Sequence, residues 1–201
     1  MKSSLYLSII LIFFTVLVSC ESKKQHTEDE QIAAEPTTWA ERLGYPAGRK
    51  VIMLHADDAG LCEEANIATK NYLLGGHIQS ASAMPPCPKF NEFIEWAKEN
   101  TKYDIGLHLT LVSEFERYRW SSVVPVDEVP SLNDKDGKMW LENIDVVKNA
   151  TVEDVAKEVR GQIDKSISLG YQPDHLDTHT GTLYANPEFA KAYLQIAMEY
   201  N

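Results

Sequence analysis

From Val51 onward the chain alternates four times between a short strand-like run and a segment of helical period, and that alternation limits the fold more than any other feature. Val51–Leu54 reads as a buried strand of the parallel-sheet kind that runs straight into His55, Asp57 and Asp58, with Gly60 opening a helix start. A helix is expected over residues 63–74, stopped at Gly75-Gly76, and then a strand over 78–84, closed by Pro85-Pro86-Cys87-Pro88. Phe90, Phe93, Ile94 and Ala97 fall at helical spacing, so a second helix ends near Asn100 and a third strand follows over 104–111. Thr151 opens a helix that runs to Leu169 with Gly170 as its stop, a fourth strand covers 173–178, and Asn186-Pro187 caps a last helix. Between the third strand and Thr151, residues 112–150 form a long aromatic insertion without a clear period. Such alternation builds a parallel α/β sheet with helical crossovers. Four strands do not close a barrel, and an eight-stranded one typically needs ~250 residues. The expectation is therefore the N-terminal part of a (β/α) barrel, incomplete at its C-terminus.

Upstream of this domain the sequence changes character. Lys2 precedes an apolar core from Leu5 to Val18, too short for a comfortable membrane span, and it ends in Leu17-Val18-Ser19-Cys20. That pattern resembles a bacterial lipoprotein signal, in which the Cys is lipidated and becomes the mature N-terminus. An uncleaved transmembrane anchor is the competing reading. The expected organisation is a signal peptide over 1–19, a polar tether over 20–38 and a folded domain over 39–201, giving a membrane-anchored lipoprotein of the cell envelope. A net charge of −11 argues against nucleic acid as a partner. Cys62 and Cys87 could pair in an oxidising compartment, but their positions outline no disulfide framework. His26 in the tether and His77 beside Gly75-Gly76 carry no signal.

The chemistry-bearing residues collect at strand ends. Adjacent carboxylates at Asp57 and Asp58 are costly unless a metal, a cationic side chain or a shared proton offsets their charge. No Lys or Arg lies between Lys50 and Lys70, which favours a metal, with one Asp as ligand and the other as a nearby base. A bland alternative is that one of them caps the following helix. Two further strand ends add His108 and the trio His175, Asp177 and His179, whose spacing of two puts them on one side of the chain if it stays extended. Parallel α/β folds converge their strand C-termini on one rim, and His with carboxylate suits Zn²⁺ and other divalent ions.

HADDAG, GLHLTL and PDHLDTHTGT, in that order and spacing, resemble the YdjC-like carbohydrate deacetylases, a family that includes chitooligosaccharide and hopanoid-biosynthesis deacetylases. The likeness spans Val51 to Asn201. It implies a (β/α) barrel of the glycoside hydrolase/deacetylase type, holding a divalent metal (Mg²⁺ or Zn²⁺) and hydrolysing the N-acetyl group of an amino sugar or oligosaccharide. It further implies Asp58, His108 and His179 as metal ligands, Asp57 as the general base that activates water, and His175 and Asp177 as groups behind the ligands. The leaving amine would take its proton from His175 or from a His beyond Asn201. Two departures are expected to alter the sugar rather than the chemistry: Ala59 where the family often has Phe, and Thr180-Gly181-Thr182 where it often has a His-rich run.

The insertion holds Phe115, Tyr118, Trp120 and Trp140 interleaved with Arg117 and Arg119. These rings either stack on a sugar or form a small core over the barrel mouth, and the sequence favours neither. Nucleophilic catalysis by Cys62 has no dedicated His–carboxylate partner to support it. Two other function classes stay open: a silent glycan-binding lipoprotein on the same fold, and a metal-dependent hydrolase of another bond such as a phosphoester. The oligomeric state is open too, a homodimer among the options.

Overall fold

A computed structural model describes residues 38–200. The signal-peptide reading and nearly all of the tether therefore lie outside the described residues. The chain divides into two compact units at Lys50/Val51. In the first, the single-turn helix α1 (Trp39–Arg42) is closed by a capping box between Thr38 and Glu41 and buries no side chain.

The second unit carries β1 (His55–Ala59), α2 (Glu63–Leu74), β2 (Ser80–Ala83), α3 (Phe90–Glu99), β3 (Asp104–Leu109), α4 (Asn143–Asn149), α5 (Val152–Ser168), β4 (Leu176–Thr178) and α6 (Pro187–Glu199). The four strands form one parallel sheet in chain order, β1-β2-β3-β4. This is an α/β architecture, a section of a (β/α) barrel. Among the described residues no helix is long and apolar enough to cross a membrane.

Alternation along each strand separates two faces. Ala81 and Ala83 of β2 and Ile105, Leu107 and Leu109 of β3 join the main apolar cluster with Phe90, Phe93 and Ile94 of α3, Val155, Val159 and Ile163 of α5, and Phe189 and Ile196 of α6. The opposite face carries Ser80, Ser82 and His108, whose polar atoms bond one another or His55. The helices follow their local signals. Thr151 accepts from Asp154 N at the start of α5, and Asn186 from Glu188 N ahead of Pro187 at the start of α6. Gly170 supplies the left-handed residue just past α5 at φ 81°.

One strand is not where the apolar run placed it. Val51–Leu54 is exposed, from 43% at Val51 to 81% at Ile52, and β1 is His55–Ala59 itself. Before His55, the contacts to the β2 side are Leu54 N to Gln79 Oε1 and Gln79 N to Leu54 O, which do not make a ladder. Apolar composition marks a segment that favours burial, but no described element covers this one. The insertion is also more structured than its lack of period implied: it holds two 3₁₀ turns, a bridge between Asn133 and Met139, and α4. Trp120 is buried against Met84, Cys87 and Met139, and Trp140 donates its indole N–H to Ser131 O. Trp120 belongs to that small core and Trp140 packs, half-buried, against the main one, while Phe115 and Tyr118 stay exposed.

Glu158 of α5 fastens the insertion. Fully buried, it accepts from Val123 N (2.8 Å), Val124 N (2.9 Å) and Gln162 Nε2 (2.9 Å). Burial is the strongest influence on its carboxyl and, against these donors, pushes the pKa from 4.5 up to about 7. A carboxyl raised in the folded state favours folding while protonated. Its contribution is whole below pH 4.5 and is lost as pH rises through about 7. Glu158→Gln should remove that share of the pH dependence, read as the wild-type minus variant difference in unfolding free energy between pH 4.5 and 8. It should also cost roughly 1–3 kcal/mol at pH 5, because an amide NH₂ would face backbone N–H groups.

Candidate metal centre

Neighbouring residues of a regular strand point to opposite faces, so Asp57 and Asp58 would not ordinarily share one. β1 breaks the rule. Ala56 pairs with Ala81 and Ala59 with Ala83, so Asp57 and Asp58 stand opposite Ser82 alone, which is a bulge. Asp58 takes up the extra residue in a left-handed conformation at φ 61°. Ala56 and Ala59 thereby stay with the helix-facing cluster while both carboxylates turn to the His108 side. The turn is locked from behind. Gly60, at φ 86°, donates its N–H to the buried Asn66 Oδ1 at 2.7 Å, and Asn66 Nδ2 reaches Lys89 O. A side chain at Gly60 would put Cβ 2.9 Å from Phe90 Cα. Cys62, with no side-chain cap, is the residue before α2, so neither Asp caps that helix.

Three side chains converge beyond the bulge. Asp58 Oδ1 lies 3.1 Å from His179 Nδ1 and 3.3 Å from His108 Nε2. Although close, neither ring nitrogen is aligned with it, and this buried oxygen has no hydrogen-bond partner among the described residues. Each imidazole is gripped from its far side by a carboxylate: His108 Nδ1 by Asp177 Oδ1 at 2.6 Å, and His179 Nε2 by Glu114 Oε1 at 3.0 Å. Those contacts take up one nitrogen per ring and turn the other toward Asp58, as carboxylates behind metal-bound histidines do. One orphaned carboxylate oxygen facing two imidazole nitrogens is a donor set that fits a divalent cation.

Electrostatics favour the ionised carboxylates. The His179 side chain is the largest influence on Asp58 and holds its pKa below the usual range, with burial opposing. Burial pushes Asp177 up, but His108 and its neighbours outweigh it and the net shift is down. Burial also disfavours charge on His179, yet Asp58 and Glu114 together raise that ring to about 9.

Asp57, with a side chain 62% exposed, stands at the open edge of the cluster, its Oδ1 3.4 Å from His55 Nε2. Its carboxylate groups with His108 and Asp177. His55 bonds Ser80 Oγ and Ser82 Oγ and lies 3.2 Å from Asp177 Oδ2. Asp58, His108 and His179 are thus brought together with Asp57 beside them. The expected one-sided trio His175, Asp177, His179 is split, because β4 ends at Thr178 and the chain turns at Thr180 (φ 52°) and Gly181 (φ 70°). His175 pairs with Asp104 and stays grouped with Asp177 and His55, so it is His179 that parts from the trio to join Asp58 and His108. Cys62 and Cys87 are both free. Sequence reasoning missed Glu114, Ser80 and Ser82. The serines had a signal in the alternation of Ser80-Ala81-Ser82-Ala83, but Glu114 sits in irregular chain with none.

A family model described as YdjC-like protein matches residues 51–201. A carbohydrate deacetylase from Thermus thermophilus is 35% identical over 161 residues, 80% of this chain and 54% of that protein. A chitooligosaccharide deacetylase from Yersinia enterocolitica is 27% identical over 133 residues, 65% of this chain and 49% of that one. A crystal structure from Enterococcus faecalis V583, described as that of a candidate cellobiose-phosphate cleavage protein, superposes with a TM-score of 0.68 at 29% identity, covering 74% of this chain and 55% of the other. The chain spans about half the length of the curated relatives it matches.

The bulge can be tested without any ligand. Gly60→Ala meets both a left-handed backbone and the Phe90 backbone. It should lower unfolding free energy by about 1–3 kcal/mol in urea titration, whereas Gly44→Ala, which has the same backbone sign and open space, should cost less.

Proposed function

The chain belongs to the YdjC-like protein family, and from that premise we propose that it is a metal-dependent carbohydrate deacetylase, hydrolysing the N-acetyl group of an amino sugar or oligosaccharide. The observation that carries this reading is the convergence of Asp58 Oδ1, His108 Nε2 and His179 Nδ1, with the exposed Asp57 carboxylate alongside. The names of the relatives supply the reaction class, deacetylation of a carbohydrate, and with an amino sugar as substrate the bond hydrolysed is carbon–nitrogen.

Asp58, His108 and His179 would hold a divalent cation, Mg²⁺ or Zn²⁺. When bound, it supplies Lewis acidity that polarises an amide carbonyl and lowers the pKa of water toward ~7. The other steps belong to the chain's own side chains. Asp177 and Glu114 keep His108 and His179 turned inward. Asp57 accepts a proton from the attacking water as it adds to the acetamide carbonyl carbon. On collapse of the tetrahedral adduct the C–N bond breaks, and the protonated Asp57 returns that proton to the amine nitrogen. Acetate and free amine are the products. His175, held by Asp104 on the His55 side, is left as a support of the cluster. The apolar run ending at Cys20 is the basis for placing the protein as a lipid-anchored lipoprotein of the cell envelope.

Metal content and acetate release measured on four variants test the assignment. Asp58→Asn, His108→Ala and His179→Ala should each lose metal and activity together. Asp57→Asn should keep the metal and lose turnover by about 10²–10⁴-fold, with KM little changed. Loss of metal from Asp57→Asn with retention in Asp58→Asn would exchange the two roles, and activity in all four would move the site elsewhere. Glu114→Ala should weaken metal affinity about 10–100-fold, since His179 would lose its orienting partner. Anchoring has its own check: the intact mass of membrane-extracted protein should show a lipidated Cys20 and no residues 1–19, and an unmodified Met1 would overturn it.

A further inference from the structure

Beside the centre lies a groove of about 330 Å³ lined by Leu61, Cys62, Phe115, Arg117 and Tyr118. Both of its walls continue from the centre. Leu61 N donates to Asp58 O at 3.2 Å on one side, and Phe115 directly follows Glu114, the partner of His179, on the other. The walls are pinned together, because Tyr118 OH donates to Leu61 O at 2.8 Å.

The two aromatic rings are exposed yet held. Phe115 and Tyr118 each meet the buried Trp120 edge to face, at 6.2 Å and 6.3 Å between ring centroids. Trp120 is fixed in turn by its indole N–H on Val112 O and its backbone N–H on Ser113 Oγ. Rings on a rigid underlayer lose little freedom when a ligand covers them. Arg117 stands exposed at the same groove, and none of the ion pairs or hydrogen bonds among the described residues uses its guanidinium.

We propose that this groove is a sugar subsite, receiving the pyranose ring next to the one that bears the acetamide. A pyranose has one face of C–H groups and a rim of hydroxyls. The C–H face matches the apolar ring surfaces of Phe115 and Tyr118, and the hydroxyl rim matches the fan of N–H donors on Arg117. An apolar wall with one convergent polar group at its edge is the usual make-up of a small-ligand site. The position of the groove makes the enzyme select for an oligosaccharide over a single amino sugar. This inference rests on the deacetylase reading, and its test keeps the two apart.

Acetate release is compared on an N-acetylated disaccharide and on the corresponding monosaccharide, in wild type, Phe115→Ala and Arg117→Gln. Both substituted side chains are exposed, so folding is not at stake. Each change should lower kcat/KM on the disaccharide about tenfold more than on the monosaccharide, mainly through KM. Equal losses on the two substrates, or no loss, would overturn the subsite. Calorimetric titration with the same disaccharide gives a readout that needs no turnover. Wild type should bind it about tenfold more tightly than Phe115→Ala, and equal affinity, or no binding by wild type, would also overturn the proposal. Binding that depends on Phe115 without any acetate release would leave the subsite standing and sink the deacetylase reading alone.

Discussion

Everything at the candidate centre depends on a departure from strand geometry one residue long. Two adjacent carboxylates can act on one ligand only if they share a face, and a flat strand forbids that. The bulge between Ala56 and Ala59, with Asp58 in a left-handed conformation, inverts one position and leaves the helix-facing alanines in register. Such a conformation costs on the order of 1–3 kcal/mol for a non-glycine residue and persists only where its surroundings enforce it. Here the enforcement is identifiable: Asn66 holds the next turn at Gly60, and Phe90 closes the space above it. Strain and chemistry therefore meet at Asp58, and the support comes from Asn66 and Phe90.

The second layer of the arrangement is made of the carboxylates that hold the two imidazoles from their far sides. Asp177 behind His108 and Glu114 behind His179 decide which nitrogen of each ring looks inward. Asp177 does this while its other oxygen approaches His55, so one side chain organises two imidazoles. The small side chains of β2 make room for it. With Ser80 and Ser82 facing inward, β1 and β3 can bring His55 and His108 toward each other across the intervening strand.

What the sequence made legible follows the reach of each interaction. Helix boundaries were set by caps and glycines within a few residues, and α5 and α6 begin where those signals placed them. The parallel α/β sheet followed from alternation along the chain. That the ends of β1, β3 and β4 lie near one another was readable because strand C-termini share a rim, while the choice of Asp58, His108 and His179 among their residues came from the family resemblance. Other features depended on partners far away in the chain. Burial of Val51–Leu54 was inferred from composition, but burial needs a covering element. Glu114 meets a residue 65 positions on, from a segment with no period to anchor a reading. The split between His175 and His179 arose because β4 is only three residues long, so the extended spacing that would align them does not last.

The insertion is attached in a way that bears on how such a protein diversifies. Glu158 grips the backbone N–H groups of Val123 and Val124, and Asp154 grips that of Ser131. Main-chain donors of this sort survive almost any replacement of the side chain they belong to, proline excepted. The moorings at Val123 and Val124 are thus indifferent to the loop's own sequence, whereas that at Ser131 also uses its hydroxyl on Asp154, and the Phe115–Tyr118 stretch lies outside both. A lineage could rewrite that stretch, and with it whatever the protein recognises, while the bulged strand and its histidines stay as they are. Variation and constancy are assigned to separate pieces of chain.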